Sequence, residues 1–473
     1  MSEDVDRAEA CEEIAAAASE ADSLSHRLRA WAREGPCTAR LVLELNEDYL
    51  VSENSFEEGE EGDGGWLVEI PRGKHLVVIG NRSTLRRGNA GVPAPRKFSF
   101  FKVDGGELSI RSLTLRNGEA DGCFGGAITV LEGGILRMEG CQIVGCRSIG
   151  QMGRPGSDTG GSGGGGGGQG ACGGAIFCGS RGSIFLEQCV LKNNLARGGA
   201  GGDAFPNRGR FTGHGGAGGG IGGGSGAAAL ADRGANASQS QSGKDHVAAF
   251  GGGGGASQGD YGTDGGNGLW GGGGGGAGGK TMSGWDRVGV PGKGGFGAGD
   301  GGRAGARTGS AGGGGGAFGG AICVLNGTEV SIRDCIFSAN ESQHGPGGMH
   351  EWGFPQGRRG TSFGGAIFIK GTPRVHIDAE GSRRLAHNLA LRGNNVYIQE
   401  REEEVRLAQF LVCKSMHTFA YLIASSVRRK QEREEYSEPA SGGALAARSS
   451  QDLPLLLARQ IIEDFLGWDL LYE

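Results

Sequence analysis

The sequence has no excess of positive charge. Its formal net charge is −6, with 47 Lys and Arg residues against 53 Asp and Glu residues. A protein that binds nucleic acid needs a basic patch to meet the phosphate groups. We therefore predict that this chain binds no nucleic acid.

Paired cysteines and metal-binding motifs are also lacking. The 11 cysteines are an odd number, and none of them form a Cys-x-x-Cys pair, which argues against a zinc site and a complete set of disulfides. His350-Glu351 has no second histidine at metal-ligand spacing. We expect free thiols, which suit a reducing compartment, and neither a metal nor another cofactor.

Neither a secretory signal nor a clear membrane span is evident. Met1 to Asp4 is acidic, without the basic and apolar stretches of a signal peptide, which predicts an intracellular protein or a natural N-terminus further upstream. Residues 407–426 are largely apolar, but Lys414 lies near their middle. A lysine at the bilayer centre costs about 3 kcal/mol, so we do not expect a membrane span.

Glycine is abundant, and a glycine-containing pentad recurs. The chain has 103 glycines, and four near-identical pentads begin at Phe124, Cys172, Phe318 and Phe363. Counted from the first glycine of each pentad, apolar residues recur at positions +11, +13, +16 and +18. A fixed period of this kind is typical of repeats that bury their apolar faces against one another.

The spacing is kept in three copies and fails in the fourth. Position +16 holds a cysteine in the first three copies but Glu380 in the fourth, and position +18 becomes Ser382, which predicts that the repeat ends nearby. Position +21 holds Asn194 and Asn340, whose side chains we expect to hydrogen-bond the backbone of neighbouring turns. The +16 cysteines should form an inward ladder of buried thiols: Cys141, Cys189 and Cys335.

Short strands that turn at fixed corners fit a parallel β-helix, in which equivalent positions stack about 4.8 Å apart. The fold class that we predict is an all-β solenoid, a right-handed parallel β-helix of about six to eight coils. An N-terminal helical cap and C-terminal helices complete it, and glycine-rich inserts interrupt it. The spacing of positions +11, +13, +16 and +18 also occurs before the first pentad, at Leu108, Ile110, Leu113 and Leu115. The repeat therefore begins one coil before that pentad.

Two motifs in the third copy carry a family resemblance. Gly319-Gly320-Ala321-Ile322 followed by Phe337-Ser338-Ala339-Asn340 resembles the repeat of the chlamydial polymorphic outer membrane protein family, whose fold is pectin-lyase-like. Gly393 to Ile398 is similar to the closing segment of such helices. The resemblance covers about residues 98–400 without the glycine-rich insert. It implies a right-handed parallel β-helix and a tendency towards adhesion at the cell surface.

The predicted domain boundaries follow from these patterns. The inserts leave from one corner and should project from one side of the solenoid, and we expect the longest to be largely disordered, so that its deletion would leave the melting transition intact. The boundaries are 1–35 for the capping helix, 36–400 for the β-helix with inserts at 147–171, 195–317 and 341–362, 401–435 for a second capping helix, 436–451 for a linker and 452–473 for a final helix.

A carbohydrate-active enzyme is the alternative function. Parallel β-helices often carry polysaccharide lyases and hydrolases, which need clustered carboxylates or a basic residue on adjacent coils. The outward positions Thr129, Phe177, Cys323 and Phe368 do not suit this chemistry. The candidate residues form a column assigned to position +14: Glu139, Glu187, Arg333 and His376. A solvated, charge-alternating outer face gives the same pattern.

A phosphate-loop pattern occurs at Gly274 to Thr281, but no strand precedes it and no helix follows it, so nucleotide binding is not expected. We predict a non-catalytic binding or adhesion scaffold that presents glycine-rich loops to an unknown protein or carbohydrate ligand. Its location stays open, because the free cysteines favour the cell interior and the resemblance favours the surface.

Overall fold

The computed structural model describes most of the chain up to residue 399. The described residues are 11–16, 21–51, 65–88, 97–122, 124–156, 164–179, 181–204, 218, 257–258, 261–262, 264–278, 289–304, 309–349, 357–371, 373–378 and 385–399. They form one helix and 31 strands, and apart from β20 with β21 the paired strands are parallel. The predicted segments 401–435, 436–451 and 452–473 lie outside the described residues.

The elements before the long insert are short. They are β1 (Cys11–Ala16), α1 (Ala21–Glu34), β2 (Thr38–Leu43), β3 (Asp48–Val51), β4 (Gly65–Pro71), β5 (His75–Ile79), β6 (Thr84–Arg87), β7 (Phe98–Asp104), β8 (Glu107–Arg111), β9 (Thr114–Arg116), β10 (Glu119–Asp121), β11 (Ile128–Leu131), β12 (Ile135–Glu139), β13 (Gln142–Val144), β14 (Arg147–Ile149), β15 (Ala171–Cys172), β16 (Ile176–Cys178), β17 (Ser183–Glu187), β18 (Val190–Lys192) and β19 (Leu195–Arg197).

The remaining strands continue the same order. They are β20 (Ser257–Gln258), β21 (Tyr261–Gly262), β22 (Ala317–Phe318), β23 (Ile322–Leu325), β24 (Glu329–Arg333), β25 (Ile336–Ser338), β26 (Glu341–Gln343), β27 (Ser362–Phe363), β28 (Ile367–Lys370), β29 (Arg374–Ile377), β30 (Leu385–Ala386) and β31 (Val396–Gln399).

The strands stack into five parallel sheets, which we number in the order in which one turn of the chain meets them. Sheet 1 runs β4-β7-β11-β16-β23-β28-β31, sheet 2 runs β1-β2-β5-β8-β12-β17-β24-β29, and sheet 3 runs β3-β6-β9-β13-β18-β25-β30. Sheet 4 runs β10-β14-β19-β26, and sheet 5 runs β15-β22-β27. This arrangement confirms an all-β parallel solenoid.

The inward ladders follow the predicted register. Leu136, Ile184, Val330 and Val375 are successive partners across sheet 2. Leu108 precedes them in the same row, as the early repeat predicts. The members of this row from Leu108 to Val330 are fully buried, so the spacing in the sequence identifies the side chains that fill the bore.

The fourth copy does not end where its spacing predicts. Leu385 pairs with Phe337 in sheet 3 and so occupies position +18, which the sequence count assigns to Ser382. Asn388 then takes position +21. The count is wrong because the fourth copy is three residues longer between β29 and β30, and the ladder resumes after this extension.

A ladder of three buried asparagines joins neighbouring turns. The amide of Asn340 donates to the carbonyl oxygen of Leu191 and to Oδ1 of Asn388, both at 2.9 Å. Its own Oδ1 accepts from the backbone N of Asn194 at 3.1 Å and from Nδ2 of Asn194 at 2.9 Å. The scaffold role predicted for Asn194 and Asn340 is therefore confirmed, and Asn388 extends the ladder.

The predicted cysteine ladder is buried and free of disulfides. Cys141, Cys189 and Cys335 are at most 1% exposed, and all three are free thiols. The Sγ of Cys335 accepts from the backbone N of Cys189 at 3.4 Å. Hydrogen bonding to Cys141, together with burial, raises the pKa of Cys189 to about 12. These thiols act as small core residues.

The paired glycines of the last three pentads fit a tight corner. Gly319 has φ of +66°, which a side chain disfavours. A Cβ on Gly320 would lie 2.1 Å from the carbonyl oxygen of Gly365 in the next turn. The first glycine thus supplies a turn conformation and the second allows close stacking.

The N-terminal helix is shorter than predicted. It covers Ala21–Glu34 instead of the predicted 1–35, and Cys11–Ala16 forms a strand that pairs with Thr38–Leu43. The strand is favoured because Ile14, only 2% exposed, joins the apolar row of sheet 2. In the part of the chain that the structure describes, no helix is long and apolar enough to cross a membrane.

Candidate functional site in the glycine bundle and the outer faces

Three inserts leave the solenoid through sheet 4 and return through sheet 5. The chain departs after β14, β19 and β26, and it comes back at β15, β22 and β27. Outgoing and returning segments extend the two sheets into a separate body, which we call the glycine bundle. Its described segments are 150–156, 164–170, 198–204, 264–278, 289–304, 309–316, 344–349 and 357–361.

The segment 309–316 lies at the centre of this bundle. Its amides donate in three directions that repeat every third residue. Ser310, Gly313 and Gly316 donate to 271–277, Gly312 and Gly315 to 198–204, and Gly314 to 357–361. The carbonyl groups follow the same rule towards the segments 164–171, 299–302 and 345–348. The central segment therefore has six hydrogen-bonded neighbours.

This pattern identifies the conformation of the bundle. A polyproline II helix has three residues per turn and no internal hydrogen bonds, so its peptide groups point outward in three directions. Neighbouring helices can then bond to one another on every side, which a flat sheet does not allow. The N···O distances around Gly312 to Gly315 are 2.8–2.9 Å.

Most interior positions of the bundle have room only for glycine. A Cβ on Gly312 would lie 1.9 Å from the carbonyl oxygen of Gly166, and one on Gly313 would lie 1.9 Å from that of Gly299. Side chains are instead found where a segment faces outward, as at Asn267 and Lys293, or in the few spaces that hold a methyl group, as at Ala277 and Ala311.

The long insert is therefore ordered where the structure describes it. The expectation of a largely disordered excursion does not apply to 198–204, 264–278, 289–304 and 309–316, whose backbone groups hydrogen-bond across the bundle. The remaining parts of 195–317 lie outside the described residues. A signal for this order is present in the sequence, because Gly265, Gly268 and Gly271 recur every third residue, as do Gly289, Gly292 and Gly295.

The bundle is attached to the solenoid by an aromatic cluster on the outer face of sheet 1. Trp270 stacks on Phe318 with 4.1 Å between ring centroids, and Phe296 stacks on Phe363 at 5.0 Å. Phe368 and Tyr397 stack beside them at 5.8 Å. This is a second apolar core, separate from the bore of the solenoid.

The outward residues after each pentad are covered. Phe177, Cys323 and Phe368 are at most 2% exposed and belong to the second core, and Thr129 is fully buried with its hydroxyl accepting from the backbone N of Gly125 at 3.0 Å. They do not line a surface open to a substrate. The role of Phe177, Cys323 and Phe368 is to hold the bundle against sheet 1.

The predicted catalytic column lies on the outer face of sheet 2. Glu139, Glu187 and Arg333 are successive partners across β12, β17 and β24. His376 does not belong to the column, because it pairs with Ser331, two residues before Arg333. Asp378 follows in line with Arg333 instead, and the mistake arises from counting His376 as position +14 when it is +12.

The charges on this face are exposed and balanced. Arg111 precedes Glu139 in the column, and its Nε lies 3.2 Å from the Glu139 carboxylate. In the adjacent row, Nε of Arg137 lies 2.9 Å from the Glu107 carboxylate, and its guanidinium lies 4.5 Å from the ring centroid of Phe185. Exposed ion pairs of this kind contribute about 0–1 kcal/mol each and are typical of a solvated sheet face.

The amides of the phosphate-loop pattern are already engaged. The backbone N of Gly274, Gly275 and Gly276 donates to the carbonyl oxygens of Gly299, Gly266 and Gly165 at 3.0, 2.9 and 2.7 Å. Lys280 and Thr281 lie outside the described residues. Among the residues that are described, no group of three or more His, Cys, Asp or Glu side chains is arranged to hold a metal ion.

The fold and the bundle together define a parallel β-solenoid with a glycine-rich body on one side. Comparison with known proteins adds no family: no family model, no curated protein and no solved structure matches the chain.

Proposed function

We propose that the chain is a non-catalytic binding scaffold, a right-handed parallel β-helix that presents the glycine bundle to a protein or carbohydrate ligand. The observation that carries the proposal is the convergence of the three inserts on one hydrogen-bonded body. Inserts on the same side of successive repeats commonly form a binding surface. The motifs Gly319 to Ile322 and Phe337 to Asn340, which resemble the polymorphic outer membrane protein repeat, support the same class of function.

The outer layer of the bundle supplies a candidate surface. Met152 and Met349 are 67% and 65% exposed, and Pro155 and Pro346 beside them are exposed as well. Their two segments flank 198–204, to which both are hydrogen-bonded. Exposed methionines adapt to partners of different shape, and the hydrogen-bonded backbone beneath them keeps the surface rigid.

A carbohydrate-active enzyme is the second candidate, favoured by one observation. Glu139 and Glu187 are register partners on neighbouring strands, so their backbones lie about 4.8 Å apart and their side chains leave the same face. Retaining glycosidases use two carboxyl groups about 5 Å apart. The ion pair between Glu139 and Arg111 and the open position of both carboxylates weigh against this reading.

One experiment separates the two functions. The protein is incubated with a panel of neutral and acidic polysaccharides, and both retention on the polysaccharide and release of reducing ends or unsaturated products are measured. We expect retention without turnover, lost in Met152→Asp/Met349→Asp and kept in Glu187→Gln. Turnover that Glu187→Gln abolishes would establish the enzyme and reject the scaffold.

A further inference from the structure

Two lysines lie over tryptophan rings near opposite ends of the outer face of sheet 1. Nζ of Lys102 is 5.1 Å from the ring centroid of Trp66, and Nζ of Lys370 is 4.9 Å from that of Trp270. In both pairs the indole N–H is buried and has no hydrogen-bond partner among the described residues. The two pairs thus provide an internal comparison within one protein.

The pairs differ in how the ammonium charge is balanced. Lys102 lies 3.0 Å from the Glu69 carboxylate and 3.3 Å from the Asp104 carboxylate. Lys370 has Leu325 and Gln399 as its register partners, and the described residues give it no ion pair. Burial lowers the pKa of Lys370, as expected for an ammonium group that has lost water without gaining a counter-charge.

The side chain of Gln399 carries a hydrogen-bond acceptor to which no described residue donates. Its Oε1 is buried and has no hydrogen-bond partner within the described ranges. Because Gln399 is the register partner of Lys370 on β31, the two side chains start about 4.8 Å apart on the same face. Two side chains next to Lys370 therefore carry a buried polar atom without a partner in the described residues, Nε1 of Trp270 and Oε1 of Gln399. Such atoms are costly to leave unpaired, so beside an ammonium group without a counter-charge they indicate a missing ligand.

The chemistry of the ligand follows from these three groups. The ammonium of Lys370 favours an acceptor with negative charge, the indole N–H of Trp270 needs an acceptor, and Oε1 of Gln399 can accept from a hydroxyl group. A carboxylate next to a hydroxyl group offers both. We infer that Lys370, Trp270 and Gln399 form a binding site for a small hydroxylated carboxylate, a free hydroxy acid or the acid end of a sugar acid.

The site lies where the glycine bundle meets the solenoid. Trp270 belongs to the bundle and stacks on Phe318, while Lys370 and Gln399 belong to sheet 1. A ligand there would hold the two bodies together by bridging residues of both. The inference does not depend on the function of the exposed methionine surface.

Titration calorimetry tests the site with sodium glycolate, sodium glucuronate and neutral glucose. We expect a carboxylate to bind and glucose not to bind. Binding of both acids would identify a general hydroxy-acid site, and binding of glucuronate alone would identify a sugar-acid site. Binding of neither acid, or of glucose as tightly as glucuronate, would overturn the inference.

Matched variants locate the binding. Lys370→Met should weaken affinity at least about tenfold, because a charge-assisted hydrogen bond contributes about 1.5–3 kcal/mol. Trp270→Phe keeps the ring but removes the N–H, and Gln399→Leu removes the acceptor, so each should weaken binding as well. The controls Lys102→Met and Trp66→Phe should leave affinity unchanged. Equal losses in the two sets would reject the site, and circular dichroism checks that each variant folds.

Discussion

At the scale of single residues, the interior glycines of the bundle are required by space. Gly312 donates to one neighbouring segment and accepts from another, and a Cβ there would meet the carbonyl group of a third. Its conformation is not the constraint, since any residue can adopt the polyproline II region. What a side chain cannot do is occupy the position where the Gly166 carbonyl oxygen already lies.

The variant Gly312→Ala should lower the free energy of unfolding by about 1–3 kcal/mol, the usual cost of overpacking. Urea denaturation measures it. Ala200→Ser is the matched control, because this residue already carries a Cβ on a segment next to 309–316 and is only partly buried, and it should change stability little. Equal stability of wild type and Gly312→Ala would contradict the packing of the bundle.

Asn340 should be sensitive to the chemistry of its side chain as well as to its size. Asn340→Ala leaves the backbone N–H of Asn194 without its acceptor and removes the side-chain bonds to the Leu191 carbonyl oxygen and to Oδ1 of Asn388, which should cost about 3 kcal/mol. Asn340→Asp should cost more, because a buried carboxylate cannot donate to the Leu191 carbonyl oxygen. Thermal melting ranks the two variants, and Asn326→Gly, at an exposed position with φ of +55°, serves as the tolerant control. The reverse ranking would argue against the ladder.

Because of the buried thiols, the free energy of unfolding should depend on pH in the alkaline range. Burial raises the pKa of Cys178 from 9.0 to about 12, so the folded state keeps a proton that the unfolded state releases. The contribution of this protonated thiol to the free energy of unfolding is fully present below pH 9. Above pH 9 it declines, by about 1 kcal/mol per such thiol between about pH 9 and about pH 10. Cys178→Ala should flatten this decline, measured by urea denaturation at several pH values. Cys37→Ala, at an exposed position, should leave the decline unchanged, and an equal effect of the two variants would count against burial as the cause.

At the scale of elements, sequence predicts the solenoid far better than the bundle. The strands of sheets 1 to 3 are recognisable because Leu, Ile and Val residues at fixed spacing face one bore, so pattern and burial coincide, as in the row from Leu136 to Val330. The bundle has no apolar pattern, because backbone hydrogen bonds hold it together. A glycine-rich sequence has the same composition whether its backbone is hydrogen-bonded or flexible, so the sequence does not distinguish the two.

For the candidate sites too, the sequence predicts contacts between regular strands but not contacts made by the inserts. Glu139 and Glu187 are correctly predicted to be neighbours, because regular strands transmit spacing to register. Trp270 could not be placed beside Lys370 from sequence, because the contact joins an insert to sheet 1. The prediction for the fourth copy is wrong for a related reason. An extension of three residues moves positions +18 and +21 to Leu385 and Asn388, and a count with fixed spacing does not detect it.

The aromatic cluster makes the long insert part of the folded core. Replacing 198–316 by a short Gly-Ser linker should lower the melting temperature, because Phe318, Phe363 and Phe368 would lose the rings of Trp270 and Phe296. This is the opposite of the expectation from glycine content alone. Trp270→Ala within the intact insert should cost about 3 kcal/mol. An unchanged melting temperature in both variants would show that the insert is only a spacer.

At the scale of the whole molecule, described residues 11–399 combine two modes of cohesion. The solenoid is held by side chains in its bore, and the glycine bundle is held by backbone hydrogen bonds between segments far apart in sequence. A repeat protein with contacts only between neighbours can unfold in parts. Here each of the three inserts passes from solenoid to bundle and back, so the loss of either body removes contacts from the other.

Hydrogen exchange should therefore show one cooperative unit. Amides need a transient opening to exchange, and their protection reports its free energy. We expect the amides of 312–316, each bonded to a neighbouring segment, to be protected to the same degree as those of β23 in sheet 1, when measured by exchange and mass spectrometry on peptides from both regions. Gly312→Ala should lower protection in both regions together, because the aromatic cluster couples the bundle to sheet 1. Exchange of 312–316 at the rate of an unstructured peptide while β23 stays protected would mean that the solenoid folds without the bundle.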